Sequence, residues 1–364
     1  MNSRIVGTLA VALFLATTAY ATKTIVEIRG DRFYLNGKPT YAGRAWNGIR
    51  IEGLLLNARL VQGVFDDLNP ATRARWAYAD INRWDPDRNT TEFIAAMPAW
   101  HAHGLLAFTL NLQGGSPEGY SREQPWENSA FEADGRLRPA YLARLQRILD
   151  RADDLGMVVI LGLFYFGQDE RVANEAAVAR AIDGIVDWVQ THGYRNVLLE
   201  INNECDLGYD HAALQPAHVA DTIRRAQRPG PGGRRLLVST SYKGGALPSA
   251  EVIAAADFIL LHGNAVKPPA RIGAMVADVR ASPAYTPKPI VFNEDDHFDF
   301  DQPENNFLAA LRAGASWGYF DYRMKGEGPA DGFQSVPVDW TIDSPRKRAF
   351  FAKLGEITGG FEEK

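Results

Sequence analysis

The sequence predicts an α/β protein, and three observations carry that expectation. Short runs of consecutive apolar residues recur along the chain, at 105–110, 157–164, 197–201, 236–239, 258–261, 289–292 and 315–320. Between them lie longer stretches with helical apolar spacing, among them 92–103, 139–155 and 170–192. Glycine follows three of those stretches, as Gly104, Gly156 and Gly193, where a left-handed C-terminal cap favours it. Runs that are apolar at successive positions suit parallel strands covered on both faces. Pro139 stands where a proline is preorganised for the first turn of a helix.

Strand and helix alternate in order. Seven strands follow the first helix, and one segment before it completes a set of eight. That count predicts a single closed (β/α)8 TIM barrel in place of an open doubly wound sheet. Two segments qualify as the first strand: 41–46, or 59–65 with its run Arg59-Leu60-Val61-Gln62-Gly63-Val64-Phe65. The sequence leaves both open. A hairpin-like Phe33-Tyr34-Leu35-Asn36-Gly37-Lys38 precedes them, and 47–89 and 114–137 are expected as long βα loops. There is no short-period repeat, low-complexity tract or Ser/Gly linker, and the cluster Pro229-Gly230-Pro231-Gly232-Gly233 is expected as a turn ahead of a strand. One domain over 22–364 follows, since barrels of about 250 residues and more fold as one unit.

Residues 1–21 have the pattern of an export signal. Arg4 gives the positive start, 5–18 is apolar, and Ala19-Tyr20-Ala21 is a small-x-small cleavage site. The apolar run is shorter than the roughly 20 residues a membrane span needs. A secreted or periplasmic location is therefore expected, with no membrane attachment after cleavage. Arg4 is the only charged residue of that segment, so its loss makes the formal net charge of −5 more negative by one. Such a surface is poorly suited to nucleic acid or anionic lipid. Cys205 is the only cysteine, which excludes an intramolecular disulfide and a cysteine-rich zinc site. It lacks an obvious activating partner and is expected as a small buried filler. A monomer is the expected state.

In such barrels the working groups project from the C-terminal strand ends. Those ends supply Asn111 and Gln113, then Tyr165 and Gln168, then Asn202-Asn203-Glu204, then Tyr242 and Lys243. They continue with His262 and Asn264, with Asn293-Glu294-Asp295-Asp296-His297, and with Trp317 and Asp321. Only strands four and seven place a glutamate directly after an apolar run.

Leu199-Glu200-Ile201-Asn202-Asn203-Glu204 resembles the strand-four signature of glycoside hydrolase clan A, in which the final Glu is the acid/base. Val291-Phe292-Asn293-Glu294 is similar to the strand-seven signature, whose Glu is the nucleophile, and Trp317 matches the clan's substrate-platform tryptophan on strand eight. The resemblance covers the chain from residue 22 as architecture and lies nearest the family 5 cellulase-like enzymes. It departs from them at two strands: His262-Gly263-Asn264 ends strand six without a tyrosine, and Phe164-Tyr165-Phe166 ends strand three without an acidic-histidine pattern. The resemblance implies a retaining O-glycoside hydrolase acting on oligo- or polysaccharide, without a cofactor.

Glycoside cleavage passes through an oxocarbenium-like state, and a retaining enzyme holds its two carboxyls about 5–5.5 Å apart. Ionised Glu294 is then expected to raise the pKa of Glu204 by like-charge repulsion. Asn203 is expected, by resemblance, at a sugar C2 hydroxyl. His262 is expected to orient Glu294, bind a hydroxyl or pack. Asn111, Gln113, Tyr242 and the loop aromatic Trp46 join Trp317 as candidate sugar contacts. Glu200 is expected in buried pairing. Asp295-Asp296-His297 admits loop anchoring, sugar contact or a metal, although the seven histidines form no His-x-His or His-Glu-x-x-His. Two other readings stand beside the glycosidase: a metal-dependent barrel hydrolase or lyase using Glu204, Asp206, Glu294, Asp296 and His297, and a non-catalytic carbohydrate-binding barrel.

Overall fold

The computed structural model describes residues 22–121, 123–230 and 233–361. The expected export signal, residues 1–21, lies outside the described residues. Eight parallel strands form the barrel: β1 (Asn57–Arg59), β2 (Ala107–Asn111), β3 (Val158–Phe164), β4 (Val197–Asn202), β5 (Leu237–Ser239), β6 (Ile259–His262), β7 (Ile290–Glu294) and β8 (Gly318–Tyr319). The ladder runs without interruption from β5 through β4, β3, β2 and β1 to β8, and β6 pairs β7. Bridges Val291↔Ser316 and Asp295↔Tyr319 join β7 to β8. Between β5 and β6 the Asp257 N–H donates to the Val238 carbonyl at 3.0 Å. Together these contacts carry the sheet around the ring.

The helices are α1 (Pro86–Ala102), α2 (Pro139–Leu155), α3 (Glu175–Thr191), α4 (Val219–Ala226), α5 (Ala250–Ala255), α6 (Ala270–Ala281), α7 (Asn306–Arg312) and α8 (Pro345–Thr358). α1 starts earlier than its apolar spacing alone indicated, because Asp85 caps it by accepting the Arg88 N–H and Pro86 sets the first turn. α2 opens on Pro139 and closes on Gly156 at φ 80°, as expected. The strands β2, β3, β4, β6 and β7 are buried along their whole length, which is why they appear in sequence as solid apolar runs.

The first strand lies in neither expected segment as drawn. Asn57–Arg59 pairs with β2 from Asn57↔Ala107 to Arg59↔Thr109, so the 59–65 segment contributes only its first residue before turning into a short 3-10 helix, Val61–Val64. The 41–46 segment stays outside the barrel. Its last two residues, Ala45–Trp46, form a small antiparallel ladder with Ile49–Arg50.

The expected hairpin is present as Arg32–Leu35 against Lys38–Pro39, and Val26–Arg29 adds a third strand on the other side of Arg32–Leu35; this small sheet closes the N-terminal end of the barrel. Its Val26 N–H bonds the Arg195 carbonyl ahead of β4. Phe33 is fully buried, edge-on to Phe258 ahead of β6 at 6.4 Å. Burying a phenylalanine there excludes water from the barrel floor. Phe33→Ala is expected to destabilise the fold by about 3–5 kcal/mol, measured as a fall in denaturant midpoint at unchanged m-value. A loss under about 1 kcal/mol would show that the hairpin is not part of the cooperative core.

Candidate active site

The candidate site stands at the C-terminal strand ends and begins with β4. Strand alternation turns Glu200 into the barrel, where its Oε1 accepts the Ser241 hydroxyl at 2.5 Å and its Oε2 accepts Asn293 Nδ2 at 3.3 Å. Ser241 in turn accepts the Glu204 N–H at 2.9 Å. Glu204 itself has a left-handed backbone, φ 51°, a conformation costing on the order of 1 kcal/mol for a non-glycine residue. The Ser241 contact holds that turn. Cys205 is buried and its thiol is pushed up to about 12 by burial, the behaviour of a filler.

Glu294 ends β7, and a bulge in the β6–β7 pairing decides what it faces. Leu261 lies opposite Phe292, but the register then slips so that His262 lies opposite Glu294. A bulge commonly re-aims a side chain in this way. His262 Nδ1 sits 3.0 Å from Glu204 Oε1 and 3.6 Å from Glu294 Oε2, with the ring wholly buried. An ionised carboxylate can only accept, so with both glutamates ionised Nδ1 carries the proton. An oxygen of each glutamate and a ring nitrogen of His262 all lie within 4.8 Å of one another.

Two further groups fix Glu294, and neither was assigned a role from the sequence. Arg59, the last residue of β1, places Nε 2.8 Å from Glu294 Oε2 while buried to 1% exposure. Asn264 donates to Glu294 Oε1 at 2.7 Å, and also to the Tyr120 hydroxyl at 2.7 Å. Arg59 was visible in sequence as a lone cation inside an apolar segment. Tyr120 carried no such signal, because it reaches the site from the long loop after β2.

The electrostatics reverse one expectation. Burial resists ionisation of Glu204, but the hydrogen bond and charge of His262, with Arg59 behind them, hold its pKa below the ordinary glutamate value. Glu294 is raised, first by burial, although Arg59 and His262 pull the other way. Burial disfavours the His262 imidazolium, but the charge of Glu294 and the hydrogen bond and charge of Glu204 outweigh it and raise its pKa. The anticipated repulsion does not fix the proton on Glu204, because a histidine sits between the two carboxyls.

Several buried polar atoms of the mouth have no hydrogen-bond partner among the described residues: Arg59 Nη1 and Nη2, Asn203 Oδ1, His262 Nε2, Asn264 Oδ1 and both polar atoms of Asn111. Buried polar groups are nearly always partnered, so this set suits a ligand rich in hydroxyls. Asn203 and Asn111 are thus compatible with their expected roles. Tyr242 follows β5 beside Cys205, and burial pushes its phenol up to about 12.

Three expected sugar contacts are corrected. Trp317 is completely buried and donates Nε1 to Asp295 Oδ2 at 2.9 Å, stacked on Phe307 at 4.7 Å and beside Phe350. It faces outward from β8 toward α7 and α8; alternation gives the inward side to Gly318 and Phe320. Trp46 bonds Glu356 near the end of α8, and α8 runs antiparallel to the strands, so Trp46 belongs to the opposite end of the barrel. Gln113 spends its amide on Ser129 Oγ and the Tyr165 N–H, at 3.3 Å each, bracing the loop after β2.

Asp295 anchors the loop after β7: besides Trp317 it accepts Asn306 Nδ2 at 3.0 Å and meets His297 Nδ1 at 2.6 Å. Asp296 accepts the Tyr120 hydroxyl at 3.0 Å. Glu204, His262 and Glu294 are also close enough to share a metal ion, but the Arg59 guanidinium already sits against Glu294, and a second cation there would be repelled.

No protein-family model matches this sequence, and no curated protein matches it. Solved structures do match in fold. An endo-1,4-β-mannanase from Rhizomucor miehei superposes with a TM-score of 0.55 at 11% identity, covering 92% of this chain and 99% of that one. A β-mannanase from the blue mussel Mytilus edulis gives 0.53 at 10% identity, covering 94% and 98%. A glycoside hydrolase family 5 protein from Bacteroides vulgatus gives 0.53 at 13% identity, covering 91% and 70%. The chain thus has the TIM-barrel fold seen in these glycoside hydrolases.

Two measurements test this description. Trp317→Ala is expected to cost about 3–5 kcal/mol of stability, as large aromatic truncations in cores do, while leaving sugar affinity of the folded protein within about twofold. Loss of affinity at unchanged melting temperature would restore the platform role. For His262 the folded pKa lies above the ordinary value of 6.5, so folding binds its proton more tightly. Its contribution to stability is fully present below that value and is lost as pH rises through the higher folded pKa. The unfolding free-energy difference between wild type and His262→Gln is expected to shrink across that rise; a difference constant with pH would show that the imidazole is not charged.

Proposed function

We propose that the protein is a retaining glycoside hydrolase, with Glu294 as nucleophile and Glu204 as acid/base, acting on an oligo- or polysaccharide after export. The observation that carries this reading is the pair of glutamates at β4 and β7 with carboxylate oxygens within 4.8 Å of each other. That spacing suits direct attack on the anomeric carbon and leaves less room than the roughly 6.5–9.5 Å of inverting pairs.

Asn264 hydrogen-bonds one oxygen of Glu294 and the Arg59 guanidinium faces the other as an ion pair, which orients the nucleophile before substrate arrives. The proton that Glu204 delivers to the leaving oxygen is the one it shares with His262 across 3.0 Å. When Glu294 becomes an ester, the largest charge sustaining the His262 imidazolium disappears, which favours movement of that proton to Glu204. After the leaving group departs with a proton, Glu204 is ionised again and takes one from the attacking water. Two of the similar structures are mannanases by name, so mannose-containing glycans stand first in a substrate panel.

Separate replacement of the glutamates tests the assignment. Glu204→Ala is expected to lower turnover of substrates with poor leaving groups by about 100- to 10,000-fold, with good leaving groups less affected. Added azide should restore turnover with a product of retained configuration. Glu294→Ala should abolish turnover for every leaving group, and azide there should give inverted product. Opposite configurations would exchange the roles, and wild-type rates in both variants would place the chemistry elsewhere.

A further inference from the structure

The loop after β2 crosses the barrel mouth on one side only. Segment 114–120 is fixed at several points. Gln334, after β8, donates its amide to the carbonyls of Gly115 and Ser116, and Val336 N–H bonds the Pro117 carbonyl at 2.8 Å. Gln62, after β1, donates to the Gly115 carbonyl at 2.7 Å, and Ser116 Oγ meets the Tyr165 hydroxyl at 3.0 Å. At its far end Tyr120 takes the Asn264 amide and donates to Asp296, tying the segment to the β6 and β7 loops. The Tyr120 ring lies edge-on to Phe320 at 5.6 Å and Tyr322 at 4.9 Å. At 57% exposure it is one of two large apolar side chains left exposed among the described residues. The segment therefore walls the arc over β8 and β1 beside Glu294.

The opposite arc differs. After β4 and β5, next to Glu204, Asp206 and Leu207 are half-buried and Gly208 and Lys243 are exposed. The chemistry gives the two arcs different occupants. Glu204 must stand beside the leaving oxygen, and Glu294 on the far face of the anomeric carbon. The leaving group thus departs over β4 and β5, and the rest of the glycone ring points toward β8, which lies across an eight-stranded barrel from β4. That direction is the one Tyr120 and segment 114–120 obstruct.

Resting on the glycosidase reading above, we infer that the enzyme is exo-acting: it accepts one terminal sugar at the non-reducing end, with the remaining chain leaving over β4 and β5. Tyr120 is the specificity-determining residue, its exposed ring forming the wall against which the terminal sugar packs. Its hydroxyl reaches Glu294 only through Asn264, so wall and nucleophile are set by one amide.

The test uses the full chain and β-linked hexasaccharides of mannose, glucose, galactose and xylose, labelled at the reducing end. Each is offered free or with its non-reducing terminal hydroxyls blocked by a benzylidene or methyl group. The expected result is stepwise release of monosaccharide from the free substrate and a blocked substrate slower by about 100-fold or more. Tyr120→Ala, at an exposed position, is expected to narrow that ratio by about tenfold. Internal fragments at early times, or blocked substrate cut at a comparable rate, would overturn the exo assignment while leaving the glycosidase reading intact. A Tyr120→Ala ratio equal to wild type would overturn the role of the wall. Absence of turnover on every sugar would remove the glycosidase reading and this inference with it.

Discussion

The arrangement depends on neutralising two carboxylates in a nearly dry barrel mouth. Each charge alone would carry a desolvation cost of several kcal/mol. Arg59, 2.8 Å from Glu294, and His262, touching both glutamates, supply two opposing charges. Both are buried as deeply as the glutamates they serve, so solvent does little to screen them. Much around them serves to hold those two cations in place: β1 ends at Arg59, and the β6–β7 bulge brings His262 opposite Glu294.

A second tier supports the first. Glu200, Ser241 and Asn293 form a hydrogen-bonded layer beneath the glutamates, and Ser241 reaches upward to fix the left-handed turn at Glu204. On the outer side, Asp295, the residue after Glu294, is tied to Trp317, Asn306 and His297. Strand alternation makes this work: neighbours Glu294 and Asp295 face opposite sides of the wall, one toward the site and one toward the helices. The same alternation removes Trp317 from the mouth and gives the inward position to Phe320.

A cleft of about 630 Å³ lies between α1 and the segment after β8, lined by Tyr78, Arg88 and Trp340 among others. It is remote from the glutamates. A sizeable cleft therefore stands apart from the glutamates, whereas Arg59, Asn203, His262 and Asn264 bring buried polar atoms without a partner among the described residues to the mouth itself.

The sequence by itself determined the barrel, because strands buried on both faces must be apolar at successive positions, as 157–164 and 197–201 are. It also determined that a glutamate ends β7 and another follows β4 by two residues, since a strand end is a local feature of an apolar run. It misplaced β1, where Leu54-Leu55-Leu56 and the run from Leu60 on flank a three-residue strand and offer no boundary. The tertiary structure alone decided which side chains meet. Whether a tryptophan on β8 faces the sugar or the helices turns on one residue of register. The contact of His262 with both glutamates turns on a bulge between β6 and β7. Arg59 reaches Glu294 from 235 residues away in sequence, and Tyr120, 174 residues away, meets the Asn264 that holds it; only closure of the ring brings groups so distant in the chain together.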